Sequence, residues 1–216
     1  MKSLDTKLKN IIASNYKSSD FIIADAKDAD MAAGIRAPGY IRKNDGSLTE
    51  NPASYQNYLN KIESMTKSEE VDIMLMSMTS AERLITNKIF ENNSVTPAVR
   101  LNDTTCTWGM IRNGEYNKEE SRPFATAQLK HAINFVDLGL YSITFNKNVD
   151  RDVNMLNLYR DFRIQAEEIQ MRHFLEVFNS SVINLSIKEM GEYVNDCILK
   201  TLSGQLSSER PLFLKI

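Results

Sequence analysis

A lysine and a glutamate interrupt two apolar runs that the sequence predicts to be buried strands. Lys215 lies within residues 212–216, and Glu176 lies within residues 174–178. A charge in a parallel strand that is covered on both faces is costly, because the charged group loses its hydration. Burial would favour the neutral amine of Lys215, which could attack a carbonyl carbon and form a Schiff base. A carboxylate beside that amine could transfer protons while the imine forms and a C–C bond breaks.

Each of these two residues also has a structural alternative. The Lys215 ammonium could reach solvent from a terminal strand, and Glu176 could belong to a buried ion pair that only stabilises the fold. The catalytic and the structural roles of these two residues differ in the geometry that they require. Catalysis needs the amine and the carboxylate on neighbouring strands, aimed into one pocket and close enough to exchange a proton.

Charged residues also cluster at the end of the first predicted strand. They are Asp25, Lys27, Asp28 and Asp30. Such a cluster could carry out acid–base chemistry, and its carboxylates could bind a divalent metal ion. For Asp28 and Asp30 we expect the simpler role of solvated residues at the start of a loop.

Three side chains on the third and fourth predicted strands are candidates for binding a substrate. Arg100 ends the third strand and could hold a phosphate or carboxylate through two parallel hydrogen bonds, with an Arg–Asp ion pair as the structural alternative. Asp137 begins the fourth strand and Ser142 lies further along it, and we expect both to face the mouth of a barrel. His131 and His173 are isolated from other metal-binding residue types, so we interpret both as structural.

The elements that must position these residues alternate between strand and helix. Short apolar runs between turn residues predict strands, and apolar residues at helical spacing predict the helices between them. The six predicted strands are residues 21–24, 71–76, 95–101, 136–145, 173–178 and 211–216. Predicted connections include a helix over residues 124–132 and a helix capped by Thr79 or Ser80.

This alternation predicts a parallel sheet covered by helices, which a doubly wound fold and a barrel both satisfy. The barrel is favoured because no Gly-rich phosphate loop follows the first strand, and because the candidate residues lie within or just after strands. We therefore predict a single α/β domain over residues 1–216, an incomplete TIM (β/α)8-type barrel with about six β/α units. Since a full barrel has eight strands, we expect a C-terminal truncation within strand six that leaves a strand edge open.

Composition excludes several classes of partner. The chain has 216 residues and a net charge of −2, so it lacks the basic excess that nucleic-acid binding requires. No apolar run long enough for a membrane span and no signal peptide are recognisable, and we expect a cytoplasmic protein. Cys106 and Cys197 lie far apart and predict two buried thiols rather than a disulfide or a zinc site. Trp108 is expected to pack on the surface, and assembly into a homo-oligomer is left open.

Three segments resemble the class I, Schiff-base aldolases, within them the tagatose-bisphosphate aldolase branch. The Glu-then-Lys pair of that family is similar to residues 174–176 and 214–216. Its first strand has a basic residue two positions after an aspartate, and this pattern is similar to residues 23–27. The resemblance implies a (β/α)8 barrel in which Lys215 forms the imine, Glu176 transfers protons and Asp25 assists at the reacting carbons. It implies a small sugar-phosphate-like ketose as substrate, with no cofactor and no metal ion.

One departure from the family concerns substrate binding. The relatives carry a lysine in the segment similar to residues 136–141, where Asp137 has the opposite charge, and Lys27 could supply the missing cation. Three hypotheses follow: a class I aldolase-like lyase acting through Lys215, a metal-assisted barrel enzyme using the aspartates after the first strand, and a non-catalytic barrel relative that binds or regulates.

Overall fold

The computed structural model describes residues 1–105 and 118–216, and the chain divides into two compact units, Met1–Val99 and Arg100–Ile216. The expectations for Cys106 and Trp108 lie outside the described residues. Both units have helices and three strands that run parallel to a neighbour, so the α/β class is confirmed. The single domain over residues 1–216 stays a prediction.

In the first unit, the central strand of the parallel sheet is β4. The elements are α1 (Ser3–Ile12), β1 (Ala24–Lys27), α2 (Ala29–Ala33), β2 (Tyr40–Arg42), β3 (Leu48–Pro52), α3 (Tyr55–Ser68), β4 (Ile73–Met76), α4 (Met78–Thr86) and β5 (Thr96–Arg100), whose last residue opens the second unit. Strand β4 pairs in parallel with β1 and with β5, and all of its residues are buried. Strands β2 and β3 form an antiparallel hairpin.

Two predictions for the first unit differ from the structure. The first strand begins at Ala24 rather than at residue 21, and the Phe21 side chain is exposed (71%). The apolar run before β1 is therefore not a buried strand, because pairing with β4 begins only at Ala24 opposite Ile73. The N-cap of α4 is Ser77, whose hydroxyl accepts a hydrogen bond from the Ser80 backbone amide.

The second unit has β9 at the centre of its parallel sheet. Its elements are β6 (Asp103–Thr104), β7 (Pro123–Phe124), α5 (Leu129–Ala132), β8 (Leu138–Thr144), α6 (Val149–Glu168), β9 (Arg172–Phe178), α7 (Ile187–Ser203) and β10 (Leu214–Lys215). Strand β9 pairs in parallel with β8 and with β10, while β6 and β7 pair antiparallel. The predicted apolar face of α6 is confirmed, since Met155, Tyr159, Phe162 and Ala166 are all buried.

Several boundaries in the second unit are shorter than predicted. The helix expected over residues 124–132 is limited to Leu129–Ala132, because Phe124 pairs with Asp103 in the β6–β7 ladder. The sixth predicted strand is limited to Leu214–Lys215. Cys197, expected to be buried, is only partly buried on α7.

None of the helices within residues 1–105 and 118–216 is long and apolar enough to cross a membrane. The longest of them, α6, carries acidic and basic residues along most of its length.

Candidate functional site

Three candidate side chains lie side by side on adjacent strands of the second unit. Ser142 on β8 is in register with Glu176 on β9, and Glu176 is in register with Lys215 on β10. Paired residues of parallel strands project from the same face of a sheet. The Lys215 Nζ forms an ion pair with the Glu176 Oε1. The predicted contact between an amine and a carboxylate on neighbouring strands is confirmed, and their catalytic roles stay predictions.

The Glu176 carboxylate is buried and each of its oxygens has a defined partner. Its Oε2 accepts a hydrogen bond from the Ser142 hydroxyl at 2.9 Å and from the Arg100 Nη2 at 3.4 Å. Its Oε1 contacts the Lys215 ammonium. Hydrogen bonds and opposite charges of this kind offset the cost of burying a carboxylate.

Arg100 is buried beneath this carboxylate and is held by several groups. Its Nη2 donates to the Ser142 hydroxyl at 3.1 Å, and its Nε donates to the Asn102 carbonyl oxygen at 3.1 Å. The same Nη2 lies 3.6 Å from Asp103 Oδ1, and the guanidinium lies 5.5 Å from the ring centroid of Phe178. The predicted Arg–Asp pair is therefore present, together with a contact to Glu176. Arg100 positions Glu176, whereas its binding of a substrate anion stays a prediction.

Asn102 is a part of the site that reasoning from the sequence did not single out. Its side-chain Nδ2 donates to the Ser142 carbonyl oxygen at 2.8 Å, and its Oδ1 accepts from the Ser142 backbone amide at 2.6 Å. These two hydrogen bonds fix the backbone of β8 at the residue that contacts Glu176. The position just after a strand is the only signal in the sequence, and many structural asparagines share it.

The Lys215 side chain is less buried than the sequence predicted. Its side chain is 41% exposed, whereas the Glu176 side chain is buried. Strand β10 is only two residues long and pairs with β9 in this unit, so solvent reaches the amine. The expectation of a fully desolvated lysine is wrong, and the solvent-reaching alternative describes its surroundings. An exposed amine is nevertheless accessible to a substrate.

Asp25 and Lys27 contact each other in the first unit. The Lys27 Nζ lies 2.5 Å from Asp25 Oδ1 and 2.6 Å from Oδ2, and both side chains are largely buried. They are two positions apart on β1, which places them on the same face of the strand. The structure therefore brings this pair together in one unit and groups Arg100, Ser142, Glu176 and Lys215 in the other.

The two other aspartates of the first cluster are not solvated, and this expectation is wrong. Asp28 is buried, and Asp30 Oδ2 accepts hydrogen bonds from the Ser77 hydroxyl at 2.5 Å and from the Ser80 hydroxyl at 3.3 Å. Burial raises the pKa of Asp30, although the two hydroxyls oppose this change. The physical reason is the immediate start of α2 after β1, which carries Asp30 to the first turn of α4. Among the described residues, no three His, Cys, Asp or Glu side chains are grouped to hold a metal ion.

Asp137 lies at the start of β8, as the sequence predicts, but apart from Ser142, with which it was expected to face a barrel mouth. It precedes Leu138, the first residue of the strand, and is thus about 16 Å along the chain from Ser142 at about 3.3 Å per residue. Its side chain is 56% exposed, and its Oδ2 lies 2.7 Å from the Arg172 Nη2. Asp137 is therefore not grouped with Ser142, because the start and end of a strand lie at opposite edges of a sheet.

The histidines have the placements expected of structural residues. His173 is buried on β9, and its Nε2 is hydrogen bonded to the Tyr159 hydroxyl at 3.0 Å. Burial lowers the pKa of His173 to about 4, and the nearby Arg163 adds to this effect. His131 lies exposed on α5.

The site in the second unit combines an accessible amine with a buried carboxylate that can exchange a proton with it. The Arg100 and Lys215 charges balance those of Glu176 and Asp103. Such a group can form an imine with a carbonyl compound and can move the protons that this reaction requires. The sequence matches no protein-family model, and no curated protein is significantly similar to it.

Proposed function

We propose that this protein is a class I aldolase-like lyase, which cleaves or forms a C–C bond in a sugar-phosphate-like ketose through a Schiff base on Lys215. The observation that carries the proposal is the contact of the accessible Lys215 amine with the buried Glu176 carboxylate. The resemblance of the segments around these two residues to class I aldolases supports it. We also infer that the fold is an incomplete TIM (β/α)8-type barrel, and a cytoplasmic location stays a prediction.

In the proposed reaction, Glu176 first accepts a proton from the Lys215 ammonium. The neutral amine then attacks the ketone carbon, and a proton moves from the nitrogen to the former carbonyl oxygen to give a neutral carbinolamine. Glu176 returns its proton to the carbinolamine hydroxyl, which leaves as water while the nitrogen lone pair forms the C=N bond. The product is a protonated imine on Lys215, and Glu176 is ionised again.

Cleavage follows from the electron demand of this protonated imine. A base removes the proton of the hydroxyl on the far carbon of the bond that breaks, the O–H electrons form the aldehyde C=O, and the electrons of the broken C–C bond move toward the iminium nitrogen. An aldehyde leaves and an enamine remains on Lys215, which is then protonated on carbon and hydrolysed. The resemblance alone assigns the assisting role at the reacting carbons to Asp25.

Within this proposal, Ser142 and Arg100 act by holding the carboxylate. Both donate to Glu176 Oε2, which leaves Oε1 directed at the amine. The pair therefore orients the proton acceptor before substrate arrives, which is how positioned groups lower an activation barrier. Lys27 remains the candidate cation for a substrate phosphate.

The experiment is hydrogen–deuterium exchange into dihydroxyacetone phosphate, followed by proton NMR in heavy water. Enamine formation on Lys215 exchanges a carbon-bound hydrogen of this compound, so we expect exchange with the wild-type chain and none with Lys215→Met. Glu176→Gln should slow it by roughly a hundredfold, the usual size of a general acid–base contribution. Lys188→Met on the exposed face of α7 (side chain 86% exposed) is the control and should match the wild type.

A non-catalytic binding or regulatory module is the second candidate function. One observation favours it: the charges of Arg100 and Glu176 are already satisfied inside the protein, as in a purely structural network. Binding of dihydroxyacetone phosphate without any exchange would support this function. Exchange that a chelator abolishes would instead support a metal-assisted enzyme, whereas the imine mechanism is insensitive to chelators.

A further inference from the structure

Four arginines surround a cavity of about 700 Å³ in the second unit. We call it the arginine cavity, and its basic residues are Arg160, Arg163, Arg172 and Arg210. Its volume falls within the range of sites that bind small molecules, about 300 to 1,000 Å³. The cavity lies beside the first residue of β9 and the end of α6, so it is not formed by the residues around Lys215.

The charges that line the arginine cavity do not balance. Among the lining residues four arginines outnumber two glutamates, Glu167 and Glu209, while Asp137 and Asp161, which pair with Arg172 and Arg160, lie outside the lining. His173 also lines the cavity and adds no charge at neutral pH, because burial lowers its pKa to about 4. A phosphate monoester carries close to two negative charges at this pH, so it is a suitable partner for the arginines that face the cavity.

Arg163 provides the most specific indication that a ligand is bound. Its side chain is only 15% exposed, and its guanidinium lies 5.5 Å from the ring centroid of Tyr159. The Nε is buried and has no hydrogen-bond partner among the described residues, while Nη1 lies 3.4 Å from Glu209 Oε1. A buried donor without a partner is destabilising, and the Arg163 guanidinium, which lines the cavity, has further N–H donors for a ligand oxygen.

The other three arginines differ in how strongly the protein holds them. Arg172 is paired with Asp137 at 2.7 Å, and Arg160 is paired with its exposed neighbour Asp161 at 2.9 Å. Arg210 is exposed and forms no ion pair within residues 1–105 and 118–216. Guanidinium groups bind phosphate oxygens through pairs of parallel hydrogen bonds, and they are the usual residues for this purpose.

We propose that the arginine cavity binds the phosphate group of a small phosphorylated molecule, at a site separate from Lys215. Arg172 and Glu176 are four residues apart on β9, which separates the two sites by about 13 Å along the strand at about 3.3 Å per residue. The site does not depend on imine chemistry, because none of its residues contacts the Lys215 amine.

The test is calorimetric titration of the whole chain with glycerol 3-phosphate, inorganic phosphate and glycerol at constant ionic strength. We expect glycerol 3-phosphate to bind and glycerol not to bind. A comparison with inorganic phosphate shows whether the ester or the free anion is preferred. Arg163→Gln and Arg210→Gln should each weaken binding at least about tenfold, since each removes a charge-assisted contact.

Two controls make the outcome specific to the cavity. Arg151→Gln removes an arginine of the same helix that is loosely paired with Glu120 and does not line the cavity, so it should bind like the wild type. Lys215→Met should also retain binding. Because Arg210 is exposed, its substitution leaves the fold intact even where Arg163→Gln does not.

Three results would overturn the proposal. The first is no heat of binding with either phosphate compound. The second is unchanged affinity in both arginine variants together with a lower unfolding midpoint, which would mean that the arginines only stabilise the carboxyl ends of α6 and α7. The third is loss of binding in Lys215→Met, which would mean that the anion binds beside Lys215 and not in the arginine cavity.

Discussion

At the scale of single residues, the Glu176 carboxylate is the centre of the candidate site. One of its oxygens is fixed by Ser142 and Arg100, and the other contacts the Lys215 amine. A buried carboxylate remains ionised only where such partners replace its lost hydration. The same partners also direct Glu176 toward Lys215, the most exposed side chain of the group.

We predict that Glu176→Gln lowers the free energy of unfolding by about 3 kcal/mol, the typical effect of removing one partner from a buried ion pair. The reason is that Arg100 keeps its buried charge and loses one of its two carboxylate contacts. Urea unfolding followed by circular dichroism measures the change. The matched control is Glu192→Gln, whose loose, exposed pair with Lys188 at 3.8 Å should contribute less than about 1 kcal/mol. Equal stability of the two variants would contradict the prediction.

His173 gives a second prediction at this scale. Its pKa is lowered from 6.5 to about 4, first by burial and second by Arg163. In this pH range the unfolded chain therefore binds a proton that the folded chain does not bind. The free energy of unfolding falls as the pH falls from 6.5 toward 4. We expect this residue to account for a loss of about 3 kcal/mol across that interval.

The measurement for His173 is urea unfolding at a series of pH values. His173→Gln should lose less stability on acidification than the wild type, because a glutamine does not titrate. His131→Gln removes the other histidine of the chain, which is exposed on α5, and should follow the wild-type curve. Parallel curves for the wild type and His173→Gln would show that the neutral state of His173 contributes nothing.

At the scale of elements, register is what assembles the site. Strands β8, β9 and β10 are aligned so that Ser142, Glu176 and Lys215 lie in one row. The backbone of β8 is held in turn by the Asn102 side chain, which follows β5 directly. Leu101, next to Asn102, packs against Gly139 near the start of β8. The close approach of these two residues therefore helps to set the position of the Ser142 backbone.

We predict that Gly139→Ala destabilises the protein by about 1 to 3 kcal/mol, the usual effect of overpacking a core. A Cβ at this residue would lie 2.2 Å from the Leu101 Cδ1 and 3.1 Å from its Cγ, so Leu101 would have to move. Thermal unfolding measures the effect. Gly191→Ala is the matched control, because it lies within α7 with open space around it and should be stabilising by about 0.5 to 1 kcal/mol. A shift of the unfolding midpoint in the same direction in both variants would contradict this account.

The sequence predicted elements better than it predicted their limits. The apolar runs at β4, β5, β8 and β9 were correctly predicted to be buried strands. A strand of a parallel sheet that is covered on both faces consists largely of apolar residues. Residues 21–23, just before β1, are also apolar, but Phe21 and Ile23 are exposed. The strand begins only at Ala24, where pairing with β4 begins, so pairing and not composition decides its start.

The same distinction holds for the candidate site. The contact of Lys215 with Glu176 could be predicted because charged residues in apolar strands need partners, and neighbouring strands supply them. The exposure of Lys215 could not, because it depends on the length of its strand. Asp137 begins its strand as predicted, and its separation from Ser142 follows from the length of β8 between them. The hydroxyl partners of Asp30 come from the N-cap and first turn of α4, which lie more than forty residues further along the chain.

At the scale of the whole molecule, the candidate residues are distributed over two compact units. The Asp25–Lys27 pair belongs to the first unit, whereas the group around Glu176 and the arginine cavity both belong to the second. The second unit thus carries the Lys215 amine, for which we propose imine formation, and, about 13 Å away along β9, a separate group of cations. These two groups make different demands on a ligand, a carbonyl carbon for one and a phosphate for the other.

The central claim is that Lys215 forms an imine, and borohydride trapping tests it most directly. The chain is incubated with dihydroxyacetone phosphate, reduced with sodium borohydride, digested and mapped by mass spectrometry, with Lys188→Met as the control. We predict one adduct, equal to the substrate less one water and plus two hydrogens, on the peptide that contains Lys215 in the wild type and in the control. The adduct should be absent in Lys215→Met. No adduct, or adducts spread evenly over exposed lysines such as Lys188, would contradict the account.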